Sequence, residues 1–225
     1  PTELLKKEDL AKLEELIYRV TEGAKISDLT GLEHCTNLSF LWLENNQLSD
    51  VSPLANLTNL TKLYLWTSQI SDISPLANMI QLTDLRIQDN PVGNFNAISK
   101  LTNLTTFIGV NNQVNDIGPL SNLTNLEILH VEANRIEDIS VLSNMVNLKE
   151  LGLFLTQVTD ISVLSNLTNL TVLDLHSNPL SDVSSLANLT SLTYLMLQNN
   201  QITDLTPIVE NSGISGEINL KNNPL

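Results

Sequence analysis

Two histidines each stand two residues from a carboxylate, and these pairs are the residues whose types could do chemistry. His130 precedes Glu132, and Asp174 precedes His176. Side chains two apart on a strand share one face, so each pair can form an acid–base couple or contribute two metal ligands. Two units of the repeat described below separate the pairs, which places their strands about 9–10 Å apart. That distance is too long for one tightly held ion, so we expect polar surface contacts with some pH sensitivity near neutral.

Other catalytic or metal-binding signals are weak. No serine or cysteine stands in a context that singles it out as a nucleophile, and no glycine-rich phosphate loop is present. The single cysteine, Cys35, occupies a leucine position, which predicts a small buried side chain. An aspartate recurs once in most repeats, but Ca²⁺ requires six to eight oxygens around one point. We therefore predict no enzyme, no metal and no cofactor.

The elements that position these residues come from a repeat of 22 residues. The stretch from Leu60 to Gln81 returns, shifted by that period, from Leu38 through Ser191, and further units follow to Leu225. Its skeleton, L-x-x-L-x-L-x-x-N-x-I, is typical of a leucine-rich repeat solenoid. A single coil cannot bury enough apolar surface to fold alone, so neighbouring coils must stack. We predict a right-handed, curved α/β solenoid with a parallel sheet on the concave side and 3₁₀ turns on the convex side.

Within each unit the spacing predicts a strand, a turn, a 3₁₀ turn and a return. Leu63 and Leu65 alternate and point inward, so Tyr64 and Trp66 face the other way. An Asn, Ser or Thr then follows at the turn, where its side chain can bond unpaired backbone groups and form a ladder. The Asp-x-x-Pro-Leu step predicts an N-cap aspartate and a single 3₁₀ turn that begins with proline.

The domain organisation follows the period. Residues 26–225 form one repeat domain of about nine units, and residues 1–25 form an N-terminal helical cap that looks truncated. The stretch Thr2–Val20 has helical apolar spacing, although Ile17–Val20 can equally be the first strand. Glu217–Leu225 stops within a unit and shows no C-terminal cap, so we expect the natural protein to continue.

Composition excludes several classes of function. The net charge of −14 argues against binding of nucleic acid or an anionic membrane surface. No apolar run reaches membrane-span length, and neither a signal peptide nor an anchor is found in the chain. We expect no membrane insertion and a monomer.

Aromatic side chains concentrate at the strand positions that face away from the core. These three positions of every 22 would hold about one of the nine aromatic residues by chance, whereas six lie there. Rigid rings on a solvated face predict a binding surface, and the alternative is ring stacking that only stabilises the sheet. The predicted binding residues are Phe40, Trp42, Tyr64, Trp66, Arg86, Ile108, His130, Phe154, Asp174, His176, Tyr194 and Met196.

These residues divide into two predicted patches. Phe40, Trp42, Tyr64 and Trp66 lie on adjacent strands, and a second group contains Phe154, Leu155, Tyr194 and Met196. Polar Asp84, Arg86 and Gln88 lie between the two patches.

One irregularity concerns the core: Gly109 takes an inward position next to Phe107, and Phe95 replaces an isoleucine, so we expect the two rings to fill the space that the glycine leaves.

The repeated stretch I-S-D-I-S-P-L-A-N-L-T-N-L-T, seen from Ile70 onward, resembles the internalin family of bacterial surface proteins. The resemblance covers about residues 26–225, and Lys7–Ala11 is similar to the end of that family's helical cap. It implies an extracellular or cell-surface location and recognition of a host or neighbouring-cell protein through concave aromatics.

We therefore predict a non-catalytic protein-recognition module, an internalin-like adhesin that is secreted or displayed on the cell surface. The alternatives are a carbohydrate-binding surface module with Trp42 and Trp66 as platforms, an intracellular repeat scaffold, and the targeting part of an enzyme whose catalytic domain lies elsewhere.

Overall fold

The computed structural model describes residues 7–225 and contains one parallel sheet of ten strands. Each strand pairs with the strands before and after it in the chain, so the order in the sheet is the order in sequence. This confirms the predicted curved leucine-rich repeat solenoid. The strands are β1 (Glu15–Arg19), β2 (Phe40–Glu44), β3 (Lys62–Tyr64), β4 (Asp84–Arg86), β5 (Thr106–Ile108), β6 (Ile128–His130), β7 (Glu150–Gly152), β8 (Val172–Asp174), β9 (Tyr194–Met196) and β10 (Glu217–Asn219).

Equivalent repeat positions pair directly across the sheet. Leu41 of β2 lies opposite Leu63 of β3, and Trp42 lies opposite Tyr64. The leucines have no exposed surface, whereas Phe40 and Trp42 are partly exposed. The predicted alternation is confirmed, because leucines line the interior and the residues between them form the outer face of the sheet.

The convex side is built from 3₁₀ turns, as the short Asp-x-x-Pro-Leu step predicts. Proline stands in the first turn of three of them, including Ser52–Leu54 and Ser74–Leu76. The others contain no proline, and one turn near the C-terminus is α-helical instead. The 3₁₀ turns are Leu32–His34, Ser52–Leu54, Ser74–Leu76, Asn96–Ile98, Gly118–Leu120, Ser140–Asn144, Ser162–Asn166 and Ser184–Asn188.

The recurring aspartates stabilise these turns, but they typically lie one residue before the N-cap and not at it. Asp72 Oδ1 accepts a hydrogen bond of 2.7 Å from the Ser74 backbone N–H, while the N-cap position itself is held by Ile73. The aspartate therefore caps the first turn from the residue before the N-cap, and the strict N-cap assignment was wrong by one residue.

The predicted polar ladder runs along the turn that follows the strands. Asn90 Nδ2 donates to the carbonyls of Leu65 and Ile87, each at 2.9 Å, and its Oδ1 accepts from the Ile70 N–H at 3.1 Å. Asn134 makes the same kind of bonds to the carbonyls of its own coil and the preceding one. Each buried amide thus ties two coils together. The ladder has a gap at Ser68, whose buried Oγ has no hydrogen-bond partner in the described chain.

The core is one continuous apolar cluster from Leu29 to Ile208. At Gly109, where the repeat lacks its inward leucine, two phenyl rings fill the space as predicted. The rings of Phe95 and Phe107 meet edge to face with centroids 4.9 Å apart, and both are fully buried. A Cβ on Gly109 would lie 2.8 Å from a carbon of each ring. The two rings therefore use the volume that a side chain at position 109 would need.

The N-terminal segment differs from the predicted long helix. The helical assignment for Thr2–Val20 was wrong beyond Leu10, because α1 covers only Lys7–Leu10 and β1 follows at Glu15–Arg19. The strand alternative therefore describes this stretch, and residues 1–6 lie outside the described part. The sheet begins before the boundary drawn at residue 25, since β1 pairs with all of β2.

Helices are a minor component. Besides α1, the described chain has α2 (Thr206–Val209), which replaces a 3₁₀ turn and packs on the turn before it. Within residues 7–225, no helix has the length and apolar character needed to cross a membrane.

Candidate functional site

Four rings on β2 and β3, and just beyond β3, make a contiguous cluster that we call the aromatic patch: Phe40, Trp42, Tyr64 and Trp66. The Tyr64 ring meets Phe40 edge to face at 5.2 Å and stacks on Trp66 at 5.6 Å with 14° between the planes. Trp42 lies 5.5 Å from both Tyr64 and Trp66. The patch arises because in-register repeats bring equivalent positions side by side.

The rings of the aromatic patch lie outside the core. Phe40, Trp42 and Trp66 are each partly exposed, although Tyr64 is only 9% exposed because the other three rings surround it. The leucines between them, Leu41 among these, are completely buried. The outer face of the sheet therefore presents a rigid apolar surface whose ring orientations are set by mutual contact.

Polar neighbours on β4 hold the aromatic patch on one side. The Tyr64 hydroxyl donates to Asp84 at 2.6 Å, and Arg86 donates twice to the same carboxylate at 3.0 Å. Burial, together with the hydrogen bond to Asp84, raises the pKa of Tyr64 to about 12. The Arg86 guanidinium also lies 4.6 Å from the Tyr64 ring centre. Tyr64 is thus fixed as a neutral donor, and Arg86 is already paired.

Sequence reasoning missed two residues of this site, Ile17 and Arg19 of β1. Ile17 pairs with Trp42 across the sheet and is 51% exposed, so it enlarges the apolar surface. The Arg19 guanidinium lies 4.3 Å over the Trp42 ring and donates to Glu44 at 2.7 Å. Their signal was the alternation of Leu16 and Tyr18, which precedes Leu41 and Leu43 of β2 by 25 residues instead of 22 and so did not fit the period.

The carboxylate of Glu44 balances Arg19 at the edge of the aromatic patch. Burial raises the pKa of Glu44, but the hydrogen bond from Arg19, the indole of Trp66 and the charge of Arg19 bring it below its ordinary value. Glu44 therefore stays ionised and keeps Arg19 in place over Trp42.

The second predicted patch is less continuous than expected. Phe154 stacks on His176 with centroids 4.4 Å apart and 14° between the planes. Tyr194 and Leu155 are exposed, at 38% and 54%, but in the described chain Phe154 and Tyr194 make no ring contact. Met196 is only 3% exposed, so the expectation that it offers contact area was wrong: it is covered in the sheet beside β10.

The two histidine–carboxylate pairs form as their spacing predicts. His130 Nδ1 lies 2.6 Å from Glu132 Oε1, and His176 Nδ1 lies 2.6 Å from Asp174 Oδ1. Since an ionised carboxylate only accepts, the imidazole N–H is the donor in both pairs. No group of three or more histidine, cysteine or acidic side chains in residues 7–225 is arranged to hold a metal ion.

His130 lies among several carboxylates. Its Nε2 is 3.9 Å from Glu150 Oε2 on the next strand. Burial lowers the pKa of His130, but the hydrogen bond and charge of Glu132, together with Glu150 and Asp174, raise it above the ordinary value. His130 pairs across the sheet with Ile108 of β5, which is half-buried, and Ile108 pairs with Arg86 of β4, beside the aromatic patch. The concave face thus runs from rings at one end to an acidic region near His130.

Comparison with known proteins identifies the repeat class. The family described as Leucine Rich repeats (2 copies) matches residues 36–78, 107–144, 146–188 and 168–210. These segments cover more than half of the chain. No protein among the curated sequences matches the chain significantly.

Two solved bacterial structures refine this class. An internalin (inlF) from Listeria monocytogenes is 31% identical, with a TM-score of 0.81 over 99% of this chain and 71% of that one. Internalin C2 (inlC2) from the same species is 30% identical, with a TM-score of 0.77 over 93% of this chain and 82% of that one. The chain belongs to the leucine-rich repeat family, and within it to the internalin-like bacterial proteins.

A more distant neighbour shares the fold alone. The ectodomain of the receptor kinase GASSHO1/SCHENGEN3 from Arabidopsis thaliana is 24% identical, with a TM-score of 0.70 over 84% of this chain and 24% of that one. That structure is a complex with CASPARIAN STRIP INTEGRITY FACTOR 2.

The class of internalin-like leucine-rich repeat proteins is one of protein–protein interaction modules, which are typically not enzymes.

Proposed function

We propose that this chain is the recognition part of a bacterial adhesin, secreted or displayed on the cell surface, and that it works without catalysis. Its partner is a protein on a host or neighbouring cell, bound by a monomer through the aromatic patch. The resemblance to the two Listeria internalins supports the bacterial assignment. The aromatic patch on the concave face supports the mode of binding.

The observation that carries this proposal is that the rings are pre-ordered on the solvated side of the sheet. Trp42 contacts Phe40, Tyr64 and Trp66, so binding would cost little additional side-chain entropy. Tryptophan, tyrosine and arginine supply most of the binding energy in protein interfaces. All three types meet here, since Arg19 and Arg86 flank the rings.

Carbohydrate binding is the less favoured use of the same rings. A sugar platform needs an open ring face, yet Arg19 lies over one face of Trp42 and Tyr64 lies against one face of Trp66. An edge-rich cluster of this kind suits the side chains of a protein better than a flat pyranose ring.

The test is a double substitution, Trp42→Ala with Trp66→Ala. Cell-surface proteins of a candidate host or neighbouring cell are cross-linked to the chain, identified, purified and measured for direct binding. We expect affinity to fall by at least about 100-fold, because two anchor residues are lost. The melting temperature is expected to stay within a few degrees, since neither ring belongs to the core.

The matched control is Ile80→Ala with Val146→Ala, which removes two exposed apolar side chains outside the strands. This control should bind normally. Normal binding by the tryptophan double variant would show that the aromatic patch is not the site. A large drop in its melting temperature would instead favour the sheet-stabilising interpretation, and binding confined to a glycan array would favour the carbohydrate alternative.

A further inference from the structure

Gly152 leaves a place without a side chain in the middle of the concave face. It pairs with His130 on β6 and with Asp174 on β8, so these two side chains stand on either side of it. The side chain of Glu132 extends into the space above the glycine, where an added Cβ would collide with Glu132 Oε1. The absence of a side chain at Gly152 thus lets the carboxylate of Glu132 lie between the side chains of His130 and Asp174.

Negative charge exceeds positive charge at this place. We name the acidic cluster by its members: Glu132, Glu150 and Asp174 with the imidazoles of His130 and His176. Three carboxylates act on His130, and on its other side the outward residues of β5 and of the segment after it are the uncharged Thr106, Ile108 and Val110. The nearby Lys149 is bonded to Glu127 at 2.7 Å, so it does not neutralise the acidic cluster.

Glu132 supplies a second observation that points to a ligand. Its side chain is only 4% exposed, and Oε1 is bonded to His130. Its Oε2 is buried and has no hydrogen-bond donor among the described residues. A buried carboxylate oxygen without a donor is costly, so a donor brought from outside would be bound favourably.

The stacked pair of Phe154 and His176 lies beside the acidic cluster. Phe154 lies two residues after Gly152. It occupies the same repeat position as Glu132 in the preceding coil. Planar cations bind favourably against aromatic rings, and a guanidinium can also bond a carboxylate with two N–H groups. Rings and carboxylates together therefore suit an arginine better than a metal ion.

We propose that the acidic cluster receives an arginine or lysine side chain of the partner protein. This inference rests on the proposed function and adds the chemistry of the partner to it. The arginines at the aromatic patch are already paired with Glu44 and Asp84, whereas the acidic cluster has unpaired negative charge. Three strand spacings, about 15 Å, separate β3 from β6. The partner therefore presents an apolar anchor and, about that far away, a basic residue.

The experiment uses Nα-acetyl-arginine amide as the probe, with the isosteric but uncharged Nα-acetyl-citrulline amide as its control. Imidazole signals of His130 and His176 are followed by NMR at pH 7 as each compound is added to the whole chain. We expect the arginine compound to shift both histidines with saturation and the citrulline compound to shift neither. Equal shifts from both compounds, or no shift from arginine, would overturn the proposal.

Charge removal in the protein completes the test. Glu150→Gln with Asp174→Asn should weaken binding of the arginine compound by about threefold or more, because each partly exposed carboxylate contributes a modest attraction. Glu137→Gln removes one exposed carboxylate that lies outside the strands and should leave the affinity unchanged. An equal loss in the Glu137 variant would show that only the net charge attracts the probe, and the proposal would fail.

This outcome is separable from the test of the aromatic patch. The probe needs no partner protein and no tryptophan, so the acidic cluster can bind it even if the tryptophan double variant still binds its partner. Conversely, a chain that recognises a partner through Trp42 and Trp66 but ignores the arginine compound would retain the proposed function and lose this inference.

Discussion

Two glycines on the strand segments show how a single residue redirects its neighbours. At Gly109 the missing side chain makes room on the inner face for the rings of Phe95 and Phe107. At Gly152 it makes room on the outer face for the carboxylate of Glu132. In each case a large group from an adjacent coil occupies the space, so a local departure from the repeat is compensated by its neighbour.

The substitution Gly109→Leu restores the common inward residue but should destabilise the protein. The new side chain would overlap both phenyl rings, which are fully buried and cannot move outward. Overpacking of this kind costs about 1–3 kcal/mol of the free energy of unfolding. Urea denaturation with a thermal melt measures the loss.

Its control restores the whole consensus by combining Gly109→Leu with Phe107→Leu and Phe95→Ile. Removing the two rings frees the volume that the leucine needs, so this triple variant should regain most of the lost stability. If the single variant is as stable as the parent chain, the rings do not depend on the glycine.

At the scale of the element, the convex turn of a coil is held by a hydrogen bond that a backbone N–H donates to one side-chain oxygen. Asp72 accepts from the Ser74 N–H, and in the next coil Asn94 accepts from the Asn96 N–H at 3.1 Å. A neutral amide thus replaces the carboxylate where the sequence departs from the repeat. This position requires an acceptor oxygen, and a negative charge strengthens the hydrogen bond that the oxygen accepts.

We therefore expect Asp72→Ala to lower the midpoint of urea unfolding and Asp72→Asn to lower it less, because the amide keeps the acceptor oxygen but not the charge. The Ser74 hydrogen bonds, from its backbone N–H and its hydroxyl, lower the pKa of Asp72 below 3.8. Stability from this carboxylate is complete above the unfolded pKa and is lost as pH falls through the folded pKa.

The pH series separates charge from geometry. Between pH 5 and pH 2 the parent chain should lose stability at this position, whereas Asp72→Asn, which does not titrate, should lose correspondingly less. Identical acid sensitivity of the parent and the asparagine variant would contradict a capping role for the carboxylate.

At the scale of the whole molecule, one apolar cluster connects coils that contact only their neighbours. The strand ladder and the asparagine bonds both run from coil to coil. Cooperative unfolding then depends on how strongly neighbouring coils are coupled. Both tryptophans lie on or next to β2 and β3, so their fluorescence reports one end of the solenoid only.

We predict that Leu129→Ala on β6, three strands away, lowers the midpoint seen by tryptophan fluorescence and by circular dichroism equally. Leu129 is fully buried, and its truncation should cost about 2–5 kcal/mol. Parallel denaturation curves measure both signals. A fluorescence midpoint that stays unchanged while the dichroism midpoint falls would show that the coils unfold independently.

Much of the molecule follows from the sequence, because a short period leaves one arrangement for each coil. Leucine spacing determines the strand and its inward face, Asp-x-x-Pro-Leu determines the 3₁₀ turn, and identical coils can bury their edges only by stacking in register. The repeat therefore determines by itself that Phe40, Trp42, Tyr64 and Trp66 lie on one face of the sheet. Their role in binding stays a prediction.

Only the tertiary structure decided the contacts between coils. Ile17 and Arg19 join the aromatic patch because β1 pairs with β2, although its spacing departs from the repeat. Met196 is covered where its position alone suggested exposure, and Phe154 stacks on His176 instead of joining Tyr194. The physical reason is that periodicity specifies the face on which a side chain lies, whereas its exposure and partners depend on the volume and charge of residues on adjacent strands.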